Sequence, residues 1–428
     1  MTSGADRMAE RRGSTARTSL AIDNLRAIVI LLVLSFHSVL AYIAFLPHRP
    51  FAFDDPPFLW RAFPIVDTQR WFGFDLFCAW QDVFLMSFFL LLSGLFTWPS
   101  LMRKGPRAFL ADRLFRLGLP FAAVVIFIVP LAHYPTYLQT ATDPGLADFW
   151  RHWRQLPFWP SGPMWFLWIL LVGDLLAAGV YQLLAARRGA VLRLSNYARE
   201  HPARFLSGLV LASAFAYVPL ALIFGPSDWA QGGPFAFQLS RPLHYAVYFL
   251  AGVAIGACSI ERGLLAPDGP LVRSWRRWLV AAPLLFGLWA GTTALTLPGP
   301  APLGLQILSG VAFALACFSS CFAVLAVAVR FARIRTPVLD SLKANAFGMY
   351  LIHYVFVVWL QYALLPAELP ASLKAAFVFG GTLALSWIVT AALRRVPAIG
   401  LVIGADRAAP RLAGRPSPAP SRSQGLAR

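Results

Sequence analysis

The sequence predicts an all-α polytopic membrane protein of about ten transmembrane helices with both termini cytoplasmic. Of its 428 residues, 58% are hydrophobic and 13% charged, and that charged share is about half of what a soluble domain carries. The apolar residues gather in runs of about 20, enough for a helix to cross the roughly 30 Å hydrocarbon core. The basic residues behind the formal charge of +18 fall in alternate connections between those runs, the bias that sets membrane topology. That placement points to anionic lipid headgroups as the partner of the charge and excludes a nucleic-acid binder.

The first run, from about Leu20 to Leu46, follows a basic segment (residues 1 to 18, with Arg7, Arg11, Arg12 and Arg17) that is expected to be disordered. The run is longer than a signal-peptide core and no small-residue cleavage site follows it, so a retained helix is expected. Nine further runs lie near 74–98, 117–134, 163–185, 205–225, 242–260, 278–297, 303–329, 345–365 and 373–393. With the N-terminus inside, the cytoplasmic groups are Arg103 to Arg116, Arg187 to Arg204, Arg262 to Arg277 and Arg330 to Lys343. Arg49, Arg61, Arg70, Arg151, Arg154, Arg241 and Lys374 fall outside. The outer connections 47–72 and 135–162 carry Trp60, Trp71, Trp150, Trp153 and Trp159. Such rings suit the lipid interface and can also stack on sugar faces. The membrane domain covers 19–395, and the tail 396–428, rich in Pro, Ala, Ser and Arg, has no apolar face and is expected to be disordered. Cys78, Cys258, Cys317 and Cys321 lie in or beside apolar runs without metal-ligand spacing, so free thiols and no metal site are expected.

An ionisable group inside a membrane helix costs about 2.5–3.5 kcal/mol, so each needs a partner or a function. In the first helix Asp23 and Arg26 are followed by His37. Eleven steps of about 100° return His37 to within about 20° of Arg26, about 16 Å further along the axis. Arg26 is then expected near the cytoplasmic boundary, paired with Asp23 or a ligand anion, and His37 near mid-membrane. His353 in the ninth helix falls at a similar depth, and two imidazoles at one level suggest a shared polar cavity or a static hydrogen bond between helices. Asp82 and Asp174 are candidates to orient an imidazole. Ser93 and Gly94 are expected to let helices pack closely. Arg113 and Arg116, spaced i, i+3 at the threshold of the third helix, are expected to face one way and suit a phosphate.

At these residues the chain resembles the acyltransferase 3 family of integral membrane acyltransferases, most of all its glucan-modifying branch, that of glucan biosynthesis protein C. The matching segments are DNLRAIVILLVLSFH at 23–37, FFLLLSG at 88–94, RKGPRAFLADRLFRLGLP at 103–120, PMWFLWILL at 163–171 and FGMYLIH at 347–353. The resemblance implies His37 as the essential histidine with Arg26 its companion, and Arg113 and Arg116 at the acyl-CoA phosphates. Ser93, Trp165 and His353 match motif positions. It further implies an inner-membrane enzyme of the bacterial envelope that binds no permanent cofactor. Cytoplasmic acetyl-CoA or succinyl-CoA would be its donor, and a hydroxyl of a periplasmic or surface carbohydrate its acceptor. The rival class is a secondary transporter or flippase for a sugar or lipid-linked sugar, since midplane polar residues also mark transport paths.

Overall fold

The computed structural model describes residues 4–184, 189–257 and 264–403. Cys258, Arg187, Arg188, Arg262 and the tail from 404 lie outside the described residues. The protein is an all-α polytopic membrane protein. Among the described residues nine helices are long and apolar enough to cross a membrane. These are α1 (crossing part Leu20–Tyr42), α2 (Phe72–Lys104), α3 (Pro106–Leu138), α4 (Gly162–Leu183) and α5 (Pro202–Phe224), then α7 (Trp275–Thr296), α8 (Leu303–Phe331), α9 (Pro337–Ala363) and α10 (Ala371–Leu393). Between α5 and α7 stands a shorter apolar helix, α6 (Pro242–Gly256). The helix that contains α1 begins at Gly4, within the segment read from sequence as an unstructured arm. The described cysteines Cys78, Cys317 and Cys321 are free and buried.

At fifteen residues α6 is about 22 Å long, short of a full hydrocarbon core, yet its two ends meet opposite faces of the bundle. Its leading connection holds a hairpin, β1 (Trp229–Gly232) with β2 (Phe235–Gln238) antiparallel to it. There Gln231 accepts from Arg61, and Gly233 O accepts from Trp159 N at 3.3 Å. The connections at 43–71 and 139–161 join on this same aromatic face through Gln139 and Val66, 3.3 Å apart in each direction. Beyond α6, Pro267 O accepts from Arg333, and Asn24 at the start of α1 donates to Ala332 O (2.9 Å) and Ile334 O (2.8 Å). These bonds close the opposite, basic face.

What lets so short a helix sit at the centre is glycine. A Cβ on Gly94 of α2 would overlap Phe249 O, one on Gly252 would overlap Leu91 O, and one on Gly256 would overlap Leu95 O. The two backbones are in direct contact, as small residues four apart permit in membranes. Gly94 therefore has the packing role its sequence suggested. The Gly252 and Gly256 pair carries the same signal in sequence and was not singled out. Gly252→Leu is expected to lose the monodisperse protein in detergent. Overpacking alone costs about 1–3 kcal/mol, and here the atoms in the way are backbone and cannot rotate aside.

Candidate functional site

His37 lies seventeen residues past Leu20, about 26 Å along α1, and only five short of Tyr42. It is therefore in the aromatic-face third of the span rather than at mid-membrane. The helix ends sooner than the apolar run: a single 3-10 turn, Leu40–Tyr42, stops it, and the last hydrophobic residues belong to the connection.

His37 packs against α9. Its ring centroid is 5.0 Å from that of His353 and 5.6 Å from that of Tyr354. His353 is wholly buried and its Nδ1 lies 2.7 Å from Tyr350 O, so Nδ1 carries the proton and Nε2 is left as an acceptor. That Nε2 is 3.4 Å from His37 Nδ1, which also lies 2.9 Å from Val33 O. Both groups facing His37 Nδ1 accept, so that nitrogen must donate. The lone pair of His37 then resides on Nε2, the form needed by a base or a nucleophile. Gln361 fixes the backbone here by donating to His37 O at 2.9 Å. The two histidines that the sequence placed at one level are thus in contact, and His37 is oriented by Val33 O together with another imidazole. Neither carboxylate considered from sequence has that role. Asp82 pairs with Arg241, whose Nη1 lies 2.8 Å from Asp82 O and 3.2 Å from Oδ1. Asp174 is occupied at the other end of the bundle.

Near the basic face α2 organises the charges. Arg26 is exposed and lies over Phe96, 5.8 Å from the ring centroid. Among the described residues it forms no ion pair with Asp23, contrary to one of the two partners expected. The next residue of α2, Thr97, donates to Asp174 Oδ1 at 3.2 Å, and Asp174 Oδ2 is 3.2 Å from Arg113 Nε. Arg26 and Arg113 therefore flank α2 at one level, with His37 about 16 Å further along α1. Ser93 accepts from Thr97 through its carbonyl at 3.0 Å. Trp165, opening the regular part of α4, meets the hairpin edge-on at Trp229, 5.2 Å between centroids.

Arg113 and Arg116 do not face one way. Arg113 turns inward to buried Asp174, whereas Arg116 turns to Asp112 on the surface, 3.0 Å away, which also holds Lys104 at 2.9 Å. The cause is local. Residues Leu114–Gly118 form a π-helical turn, and a second spans Val124–Ile128. Each stops two residues before a proline, Pro120 or Pro130. A proline offers no N–H to the carbonyl four residues back and its ring crowds that carbonyl, so a wider turn relieves it. Three residues of wider turn rotate less than three of an α-helix, and the guanidiniums diverge.

One ionisable residue in the apolar part of α3 escaped the sequence reading. His133 is wholly buried, with both ring nitrogens unpartnered among the described residues. It meets Tyr354 at 5.6 Å and Trp60 at 5.1 Å between centroids. Its position at the edge of the third run, where a charged group costs less, muted the signal.

A bundle with paired imidazoles near one face and an arginine level near the other defines an integral membrane protein with a chemically equipped interior. The family model described as an acyltransferase domain matches residues 19–391. The chain belongs to that family, acyltransferase 3, and is a membrane acyltransferase. No curated protein and no solved structure matches it. Between the enzyme and transporter classes, the family decides for acyl transfer.

Proposed function

We propose that the protein moves an acyl group, acetyl or succinyl, from cytoplasmic acyl-CoA to a hydroxyl of an extracytoplasmic glycan. The observation that carries this reading is the vertical order of groups along α1: Arg26 and Arg113 at one level on the flanks of α2 at the basic end, and an imidazole whose lone pair lies on Nε2 near the aromatic end. The phosphates of acyl-CoA dock where the arginines lie, and the acyl arm runs along α1 toward His37. The acyl carbon exchanges its bond to sulfur for one to the acceptor oxygen. The hydroxyl proton passes to the imidazole and on to the thiolate, either in one transfer or through an acyl-imidazole. Trapping of labelled acyl group on His37 after acid quench identifies the second route. The basic face is the cytoplasmic one by the positive-inside bias, in the inner membrane of a bacterium. The likeness to the glucan branch favours succinyl and a periplasmic glucan. The decisive experiment is mass spectrometry of envelope glycans from cells with and without the chain. Loss of one ester names donor and acceptor, and an unchanged glycan profile sinks the assignment.

The divergence of the two arginines gives them different expected phenotypes. Arg116→Ala should raise KM for acyl-CoA about tenfold, the worth of one charge-assisted hydrogen bond to phosphate, with kcat within about twofold. Arg113→Ala leaves Asp174 buried without its cation and should lower the yield of folded protein before any kinetic effect is read. Titration of acyl-CoA with each purified variant checks both.

A further inference from the structure

We infer that the acceptor glycan is held by a polar stripe on the last turns of α3, formed by His133, Thr136 and Tyr137, which leads from the aromatic face to His37. This rests on the acyl-transfer reading above and names the acceptor's seat within it. Positions i, i+3 and i+4 lie on one face of a helix, so the three residues make a continuous track, in which Tyr137 donates its proton to Asp143 O at 2.7 Å and offers its oxygen as an acceptor.

At its inner end His133 touches Tyr354, whose ring in turn lies against that of His37. At its outer end Tyr137 lines a cavity of about 200 Å³ with Phe53, Asp54, Asp55, Thr140 and His152. A second cavity of about 420 Å³ adjoins it, sharing Asp54 and His152. Those two side chains are themselves paired at 2.9 Å, Nδ1 to Oδ2. Between the ends, Phe53 stacks on Trp60 at 4.6 Å and 10°, and Trp60 meets His133 edge-on. Aromatic faces beside carboxylates and hydroxyls are the chemistry that grips a sugar, whose C–H faces are apolar and whose rim is hydroxyl.

The second, independent observation is a concentration of orphaned polar atoms along this track. His133 Nδ1 and Nε2, Thr136 Oγ1 and Trp153 Nε1 are all buried without a hydrogen-bond partner among the described residues. Trp153 faces His133 at 6.0 Å between centroids. Leaving a buried donor or acceptor unpaired costs about 1–3 kcal/mol, so such groups call for a partner, whether ordered water, an ion or a bound ligand. Four such atoms in one place, offering both donors and acceptors, match a polyhydroxyl ligand. A thioester or an acyl chain offers few hydrogen bonds in return.

The test uses the full chain with His133→Leu and Thr136→Val, singly and combined. An apolar group of similar shape relieves an unpaired polar one, so these variants should reach the membrane at wild-type levels and melt no lower in detergent. Ester on the envelope glycan should fall at least tenfold. Cleavage of acyl-CoA by the purified variants without glycan should stay within twofold of wild type, because the donor side is untouched. Thr136→Ser, which restores the hydroxyl, should recover most of the ester. Ester retained in His133→Leu, loss of acyl-CoA cleavage along with the ester, or misfolding of the variants would each overturn the inference, the last two by showing a structural role. A wild type that places no ester on any glycan fails earlier, at the proposed function, and takes this inference with it.

Discussion

Replacing His37 with Ala is expected to cut acyl transfer by about 10²–10⁴-fold, the usual contribution of a positioned base, while the protein still inserts and folds. The imidazole is partly exposed in the bundle, so its loss leaves no buried charge behind. The finer expectation concerns His353. Its Nε2 is one of the two acceptors that hold the proton of His37 on Nδ1. His353→Phe removes that acceptor, leaves Val33 O alone to hold the proton on Nδ1, weakens the preference for that tautomer and should cost up to about tenfold in kcat, the worth of one hydrogen bond of about 1–1.5 kcal/mol. His353→Gln retains an acceptor oxygen and should recover most of the rate. Should Phe and Gln behave alike, His353 serves packing alone and the tautomer argument fails. Turnover of acyl-CoA against glycan by the three purified variants, at matched folded protein, distinguishes the cases.

The contrast between these two histidines and Asp82 marks what a sequence can disclose about such a site. His37 and His353 stand in apolar runs where their cost demands explanation, and counting along each helix placed them at similar depth. The structure brings them into contact. The partner of Asp82 is Arg241, 159 residues away. No periodicity within one helix relates the two, so a carboxylate that looked available to an imidazole proves to be spent on a guanidinium. The arginine pair of α3 failed differently: the i, i+3 rule presumes an α-helix, and Pro120 had already replaced one turn of it by a wider one. Spans were legible because lipid imposes their length and the basic residues mark their ends. α6 shows the limit, since its fifteen residues suffice only because glycines let α2 carry it. His133 was legible in principle, as an imidazole in an apolar run, but its unpaired state emerges only once every neighbour is in place.

The largest expected effect on stability lies away from the imidazoles, at Lys374. Its ammonium meets Asp67 Oδ2 at 2.7 Å, and both side chains are almost wholly buried, 1% exposed each. Asp67 also accepts from Gln69 N at 2.8 Å through its other oxygen, and its own N–H binds Ala41 O at 3.1 Å. One ion pair therefore ties α10 to the end of α1 and to the connection that follows it. Arg70 closes the same connection from within by donating to Leu46 O and Pro47 O. From sequence Lys374 was only one of the few basic residues on the outer side. Its burial explains why it breaks the positive-inside pattern at so little cost, because its charge is neutralised inside the protein. Lys374→Met leaves Asp67 anionic, buried and unpaired, and should cost about 3–5 kcal/mol. Asp67→Asn should do comparable harm from the other side. The double variant removes both charges at once and should be far more stable than the sum of the single losses predicts, because replacing a buried pair by neutral groups is often close to neutral. Thermal unfolding of the four proteins in detergent reads the cycle. Additive losses would mean that the two charges do not depend on each other. A strongly non-additive cycle would identify this pair as the clasp that holds α1, and with it His37, against α9 and α10.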